Sequence, residues 1–151
     1  MTTNFHRTAA WLHACGKERG NAQHLSVQMG CDAEEIAEWF DCVRVSDDDW
    51  DEVRRRIVRD LNSLGNAMKT GKIIGHIPVH LRVDALDALC DRDVTGNGVA
   101  YLANMDKESA DLAVLDSNDS KLNADGTAVI LEGGKIGKAP GYKPPDLKPF
   151  V

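Results

Sequence analysis

The feature that most constrains this chain is a run of apolar residues between positions 50 and 68. Trp50, Val53, Ile57, Leu61, Leu64 and Met68 recur at spacings of three and four, the period of one face of an α-helix. Ser46 with Asp49 reads as a capping box in front of it, so a long helix is expected to open there. A helix of that length must bury its stripe against other elements. Either the chain's own core takes it or a second copy does, and periodicity leaves both open.

The remaining segments of the first two-thirds follow the same pattern. Phe5 to Cys15 is a short amphipathic segment stopped by Gly16, and Ala22 to Met29 is a second, stopped by Gly30. Asp32 then reads as an N-cap with Glu35 at its N3 position, and the helix that follows aligns Ile36, Trp39, Phe40 and Val43. Gly71, Gly75 and Pro78 mark a loop. A further helix is expected from about Arg82 to Ala103, with Val83, Leu86, Cys90 and Val94 on its apolar side, and Asp106 caps another that ends near Asp116.

Past residue 117 the character changes. Asp125-Gly126 and Gly133-Gly134 bracket Thr127 to Leu131, a signature of a small hairpin. The tail from Pro140 carries four prolines in ten residues and is expected to be extended, wrapping helices, a partner subunit or a ligand. The expected fold is therefore all-α, with a small C-terminal hairpin and an extended tail. Its organisation is one domain: a helical core over residues 1–116, and a loop, hairpin and tail over 117–151.

Composition narrows the functions. Twenty-four acidic against 18 basic residues leave a net charge of -6, which argues against a protein built to grip a nucleic-acid backbone. No apolar run approaches the ~18–20 residues of a membrane span. The N-terminal stretch MTTNFHRTAAWLHACGKERG lacks the apolar centre and cleavage site of a signal peptide, so the expected location is the cytoplasm. Cys15, Cys31, Cys42 and Cys90 form no C-x-x-C pair and read as reduced thiols. His76 and His80 have the spacing of helical zinc ligands, but Pro78 between them argues against that helix.

The carboxylates carry the most chemistry. On a helix, Asp84, Asp87 and Asp91 fall within about 60° of one another, and Glu35 and Glu38 stand one turn apart with Glu34 adjoining. If the two helices pack, at least four carboxylates meet. Like charges ~4 Å apart repel by about 4 kcal/mol at an effective dielectric near 20, so such a cluster takes up cations or water. Paired carboxylates at this spacing suit a hard divalent ion such as magnesium or manganese. The same pattern also suits a solvated helix edge neutralised by arginines, and the capping box alone would account for Glu35. Spacing does not decide between them.

A second patch, Ser117-Asn118-Asp119-Ser120-Lys121 with Lys135 and Lys138, gathers amide, hydroxyl and ammonium donors suited to a polyphosphate. It equally describes a helix C-terminus and a polar turn. Neither a Walker A sequence nor G-x-G-x-x-G is present.

In this order the motifs resemble a known family. Asp32-Ala-Glu34-Glu35-Ile-Ala-Glu38 followed by Asp84-Ala-Leu-Asp87-Ala-Leu-Cys-Asp91 is similar to the all-α MazG-type nucleoside triphosphate pyrophosphohydrolases. In these, a Glu-x-x-Glu pair and a Glu/Asp-x-x-Asp pair bind magnesium together. The likeness extends to Leu25 to Cys31 (LSVQMGC), to Ser117 to Lys121, and to Gly137 to Leu147 (GKAPGYKPPDL), covering roughly residues 5–43 and 80–150. Asp84 stands where the family usually has Glu, and 46 positions separate Glu38 from Asp84, more than in compact members.

The resemblance implies a MazG-like bundle of four helices completed by dimer or tetramer formation. The implied activity is hydrolysis of a (d)NTP to (d)NMP and diphosphate, in a bacterial or phage-infected cytosol. Glu35, Glu38, Asp84, Asp87 and Asp91 would hold magnesium, with manganese able to substitute. Glu34, Glu35 and Glu38 would be the catalytic carboxylates, with Glu34 or Asp91 orienting water. Gln28, Asn118, Lys121, Lys138 and Tyr142 would bind the nucleotide. A dGTP-preferring, MazZ-like phage branch exists within the family. Trp11, Gln28 and Trp39 are candidates for base contacts. The contrasting expectation is a non-catalytic oligomeric module that binds a nucleotide or a protein.

Overall fold

The computed structural model describes residues 3–131 and 136–151. It is all-α: α1 (Asn4–Ala14), α2 (Ala22–Cys42), α3 (Asp48–Lys69), α4 (Arg82–Leu102) and α5 (Lys107–Asp119), with short 3-10 turns at Val79–Leu81 and Lys148–Phe150. Among the described residues there is no strand, only isolated antiparallel bridges between Leu122 and Ala128 and between Ile130 and Ile136. No described helix is long and apolar enough to cross a membrane. The chain forms two compact units, Arg19–Pro78 and Met1–Glu18 with Val79–Val151.

The first unit is a helical hairpin of α2 and α3. Gly30 meets Gly65, and farther along Arg54 donates to the Phe40 carbonyl at 3.2 Å; partner numbers fall as the chain rises, so the helices are antiparallel. The expected break at Gly30 does not occur. α2 runs uninterrupted through Gly30 and Asp32, and its N-cap is Asn21, whose side chain accepts from His24 N at 3.0 Å. The glycine serves the crossing instead. A Cβ on Gly30 would lie 2.6 Å from the Gly65 carbonyl oxygen, and one on Gly65 would lie 2.7 Å from that of Gly30. Ser26, Gly30, Ala33 and Ala37 form the buried face of α2, small enough for the backbones to touch.

Two further expectations are corrected here. The cap of α3 is Asp47, which accepts from Trp50 N at 3.1 Å, one residue beyond the predicted Ser46; Asp48, Asp49 and Asp51 then follow favourably in the first turn. The inner face of α3 is also rotated from the apolar stripe. Arg54, Val58, Leu61, Gly65 and Met68 are buried or half-buried, whereas Trp50, Ile57 and Leu64 are exposed. The close approach at Gly65 determines this rotation, because the side of a helix carrying a glycine can come nearest its neighbour. Ser26 then anchors the following loop, accepting from Gly75 N at 2.9 Å.

In the second unit α1 lies on α5. Arg7 donates to Asp116 at 2.8 Å and to Asp119 at 2.5 Å, and Trp11 Nε1 donates to the Asn118 carbonyl at 2.8 Å. α4 spans nearly the predicted residues, but its apolar side is open: Val83, Leu86, Cys90 and Val94 are all exposed. Asp106 caps α5 as expected, accepting from Ser109 N at 3.1 Å. The helix continues to Asp119, so Ser117 to Asp119 form its last turn rather than a loop beyond it. The Asp125-Gly126 turn forms, with Gly126 at φ 82° and Asn123 N donating to Thr127 O at 2.8 Å. The Gly133-Gly134 turn and Lys135 lie outside the described residues. Residues 142–147 form no regular element, Leu147 lies in the αR region rather than extended, and Asp106 N donates to Phe150 O at 2.9 Å, pinning the end of the tail to the start of α5.

Candidate functional site

The predicted carboxylates occupy two helices in two different units. Glu34, Glu35 and Glu38 lie on α2, and Asp84, Asp87 and Asp91 on α4. Glu35, Glu38 and the three aspartates are exposed, while Glu34 is half-buried and ion-paired with the Lys69 ammonium of α3. Because α2 is continuous through Asp32, no capping box exists there and Glu35 has no capping duty.

Each helix offers a pair of hard oxygen donors one turn apart, a set that suits magnesium, which takes few protein carboxylates and fills its remaining positions with water and phosphate oxygens. Within neither unit, among the described residues, do three or more His, Cys, Asp or Glu side chains gather to hold an ion.

The residues expected to bind a nucleotide divide as well. Gln28 is exposed on α2, in the hairpin unit. Asn118, Lys121, Lys138 and Tyr142 all belong to the other unit, and the chain's turns bring them to the C-terminal end of α5. Lys121 Nζ donates to Asn118 Oδ1 at 2.8 Å. Ala139 N donates to the Lys121 carbonyl at 3.2 Å, which returns Lys138 to the neighbourhood of Lys121. The Lys138 ammonium stands 4.4 Å from the centre of the Tyr142 ring. Ser120 Oγ accepts from Lys143 N at 2.9 Å and holds the tail against the same helix end.

Sequence reasoning passed over two contributors. Trp11 was a base-contact candidate, yet its position is beside the phosphate candidates: its indole N–H bonds to Asn118, and the Lys121 ammonium lies 5.7 Å from its ring centre. Lys17 is the second. Burial pushes the Cys15 thiol pKa up, while the charges of Lys17 and Lys121 both oppose it. Neither sits in a motif, and only the docking of α1 on α5 brings them in. Beside them Arg7 is raised above its usual range, chiefly by its hydrogen bonds to Asp119 and then Asp116, so those two carboxylates are already balanced.

Comparison of the chain with protein-family models, curated proteins and solved structures returns no match.

Proposed function

We propose that this chain is a MazG-like, metal-dependent nucleoside triphosphate pyrophosphohydrolase that converts a (d)NTP to (d)NMP and diphosphate, (d)GTP being one candidate among the substrates to be tried. The observation carrying the reading is that both i, i+3 carboxylate pairs, Glu35/Glu38 and Asp84/Asp87, project one turn apart from uninterrupted helices.

In this reading Glu35, Glu38, Asp84 and Asp87 hold magnesium, or manganese in its place, and Asp91 completes the set. The bound ion would neutralise charge on the phosphate oxygens. Glu34, balanced by Lys69, orients water for attack at the α-phosphorus. Asn118, Lys121 and Lys138 hold the polyphosphate, Tyr142 covers it, and Gln28 reaches the base. Positioning and charge neutralisation supply most of what such a displacement requires.

A dimer or tetramer belongs to the same proposal. Val83, Leu86, Val94, Tyr101 and Leu102 of α4 are between 63% and 84% exposed in the single chain, a surface of the kind that helix partners cover. That same surface favours the second reading, a non-catalytic oligomeric module.

Product analysis separates the two. Purified protein with magnesium is incubated with each NTP and dNTP, and products are resolved by ion exchange. Monophosphate plus diphosphate is the expected result, abolished by Glu38→Gln and by Asp87→Asn with the helical signal intact. Wild-type turnover in both variants refutes the assignment. Silence across the panel, with no shift in melting on adding metal and nucleotide, refutes the hydrolase and favours the module in its protein-binding form; a bound ligand at a hundredfold excess over Kd would add about 2.7 kcal/mol.

A further inference from the structure

The outward face of α3 is apolar along its middle and charged along one edge. Trp50, Ile57 and Leu64 are 66%, 38% and 43% exposed. They stand seven residues apart, and residues at that spacing fall within about 20° of one another on a helix. Seven is also the repeat with which two helices keep a single seam in contact. Arg56 and Asp60 border the stripe on one side, both exposed and neither with an ion-pair partner among the described residues. They do not pair with each other, and base before acid is the less favourable order within one helix. α3 lies between the two stretches that carry the family resemblance, so that resemblance implies nothing about this surface.

The pattern is its own complement. Trp50 and Leu64 are equally far from Ile57 in sequence. When two copies of α3 lie antiparallel about a twofold axis at Ile57, Trp50 faces Leu64 of the second copy and Ile57 faces Ile57. Arg56 precedes Ile57 by one residue and Asp60 follows it by three, on the same edge. The axis keeps that edge and reverses the direction, which leaves Asp60 of the second copy roughly 3 Å along the helix from Arg56. Each arginine thus meets the other copy's aspartate, twice in one interface. A parallel pairing would instead set Arg56 beside Arg56, and would bring Asp47, Asp48, Asp49 and Asp51 of both copies together. A twofold interface must be self-complementary, and only the antiparallel arrangement makes this edge so.

We infer that α3 is the seam of a homodimer: Trp50, Ile57 and Leu64 pack antiparallel on the same residues of a second copy, and two Arg56–Asp60 pairs fix the register. The inference takes up the oligomer named above and gives it a seam separate from the α4 surface, but it rests on no metal and no turnover. The apolar stripe supplies the driving force, because exposed aromatic and aliphatic area leaves water. The charged edge supplies the direction and the register, as charges flanking an apolar seam do.

The test is sedimentation velocity of the full chain over a concentration series, without metal or nucleotide. The parent is expected to associate. Arg56→Asp and Asp60→Arg, each setting like charges together twice, should weaken association about tenfold, and the double variant Arg56→Asp/Asp60→Arg should restore it by rebuilding both pairs in reverse. Both positions are exposed, so melting by circular dichroism should find all three variants folded. Trp50→Ala should also weaken association. Leu86→Asp/Val94→Asp on α4 is the control, and the effect of the charge reversals should persist in it. A parent that is monomeric throughout overturns the inference. So do single reversals that associate like the parent, and a double variant that does not recover. Association lost in the α4 control but untouched by the reversals places the seam on α4 and overturns it as well. Hydrolysis by a monomeric parent leaves the enzyme reading standing alone, and charge-swap rescue without hydrolysis leaves the seam standing alone.

Discussion

Replacing Gly30 by alanine and replacing Gly96 by alanine are the same chemical change in two helices, and the structure gives them opposite signs. In a helix interior, Gly→Ala gains about 1 kcal/mol from backbone entropy. At Gly96 nothing lies within 4 Å of the added methyl, so that gain is expected in full. At Gly30 the added Cβ would sit 2.6 Å from Gly65 O, 2.9 Å from Lys69 Cγ and 3.1 Å from Met68 Cβ. The nearest of these is backbone and cannot rotate away. To reach an ordinary 3.4 Å the two helices must part by about 0.8 Å, and a gap of that size forfeits roughly a quarter to a half of each dispersion contact along the crossing. Overpacking typically costs about 1–3 kcal/mol, and a backbone-to-backbone clash belongs at the upper end. Subtracting the entropic gain leaves a net loss near 2 kcal/mol. At roughly 2–4 °C per kcal/mol for a chain of this size, thermal melting by circular dichroism should place Gly30→Ala about 4–8 °C below the parent and Gly96→Ala about 2–4 °C above it. A Gly30→Ala chain that melts with the parent, or a Gly96→Ala chain that melts below it, refutes the geometry.

Other expectations are more local. Cys42 and Cys90 are exposed and should react rapidly with iodoacetamide at pH 8, while Cys15, buried and with its thiol pKa raised by that burial, should react only on unfolding; mass spectrometry of the labelled chain reads this directly. Asp106 is held below the usual carboxylate range, first by the Ser109 side chain and then by the Ser109 N–H. Its contribution to stability is therefore complete above about pH 4 and lost as pH falls through its lower folded value, and Asp106→Asn should flatten that acid limb in a pH series of melts. Arg7→Ala removes the bond from α1 to Asp116 and Asp119. Because those carboxylates are substantially exposed the cost should stay below about 1 kcal/mol, and a much larger loss in denaturant titration would mean that the arginine stem packs as well. On the proposed hydrolase reading, Asp84→Glu, which installs the residue usual in the resembled family, should maintain or raise kcat/KM with magnesium, and a collapse in rate counts against that placement of the pair.

The helices whose ends are written in neighbouring residues were legible in advance. Asp106 announces α5 because a carboxylate can satisfy the N–H groups of the next turn wherever the helix points, and Gly16, with φ 71°, ends α1 because a residue without Cβ takes that conformation at little cost. The all-α class and the i, i+3 spacing of the carboxylates follow from the same local rules. Gly30 shows where they stop. Locally it is a helix stop, and Asp32 beyond it is a cap, but the contact with Gly65, 35 residues away, makes the glycine a point of closest approach and carries the helix straight through. That contact also turned α3 so that Trp50, Ile57 and Leu64 face outward despite their perfect period. The placing of Trp11 beside Asn118 and Lys121 is of the same kind: the sequence groups Lys121 with Lys138, but only the seating of α1 on α5 adds the indole. Helix identity and spacing were determined by the chain itself, since propensity and capping act over a turn or two. Which face is inside, and which charges meet, was decided by tertiary structure, because close packing between distant segments overrides the local signal wherever two backbones come into contact.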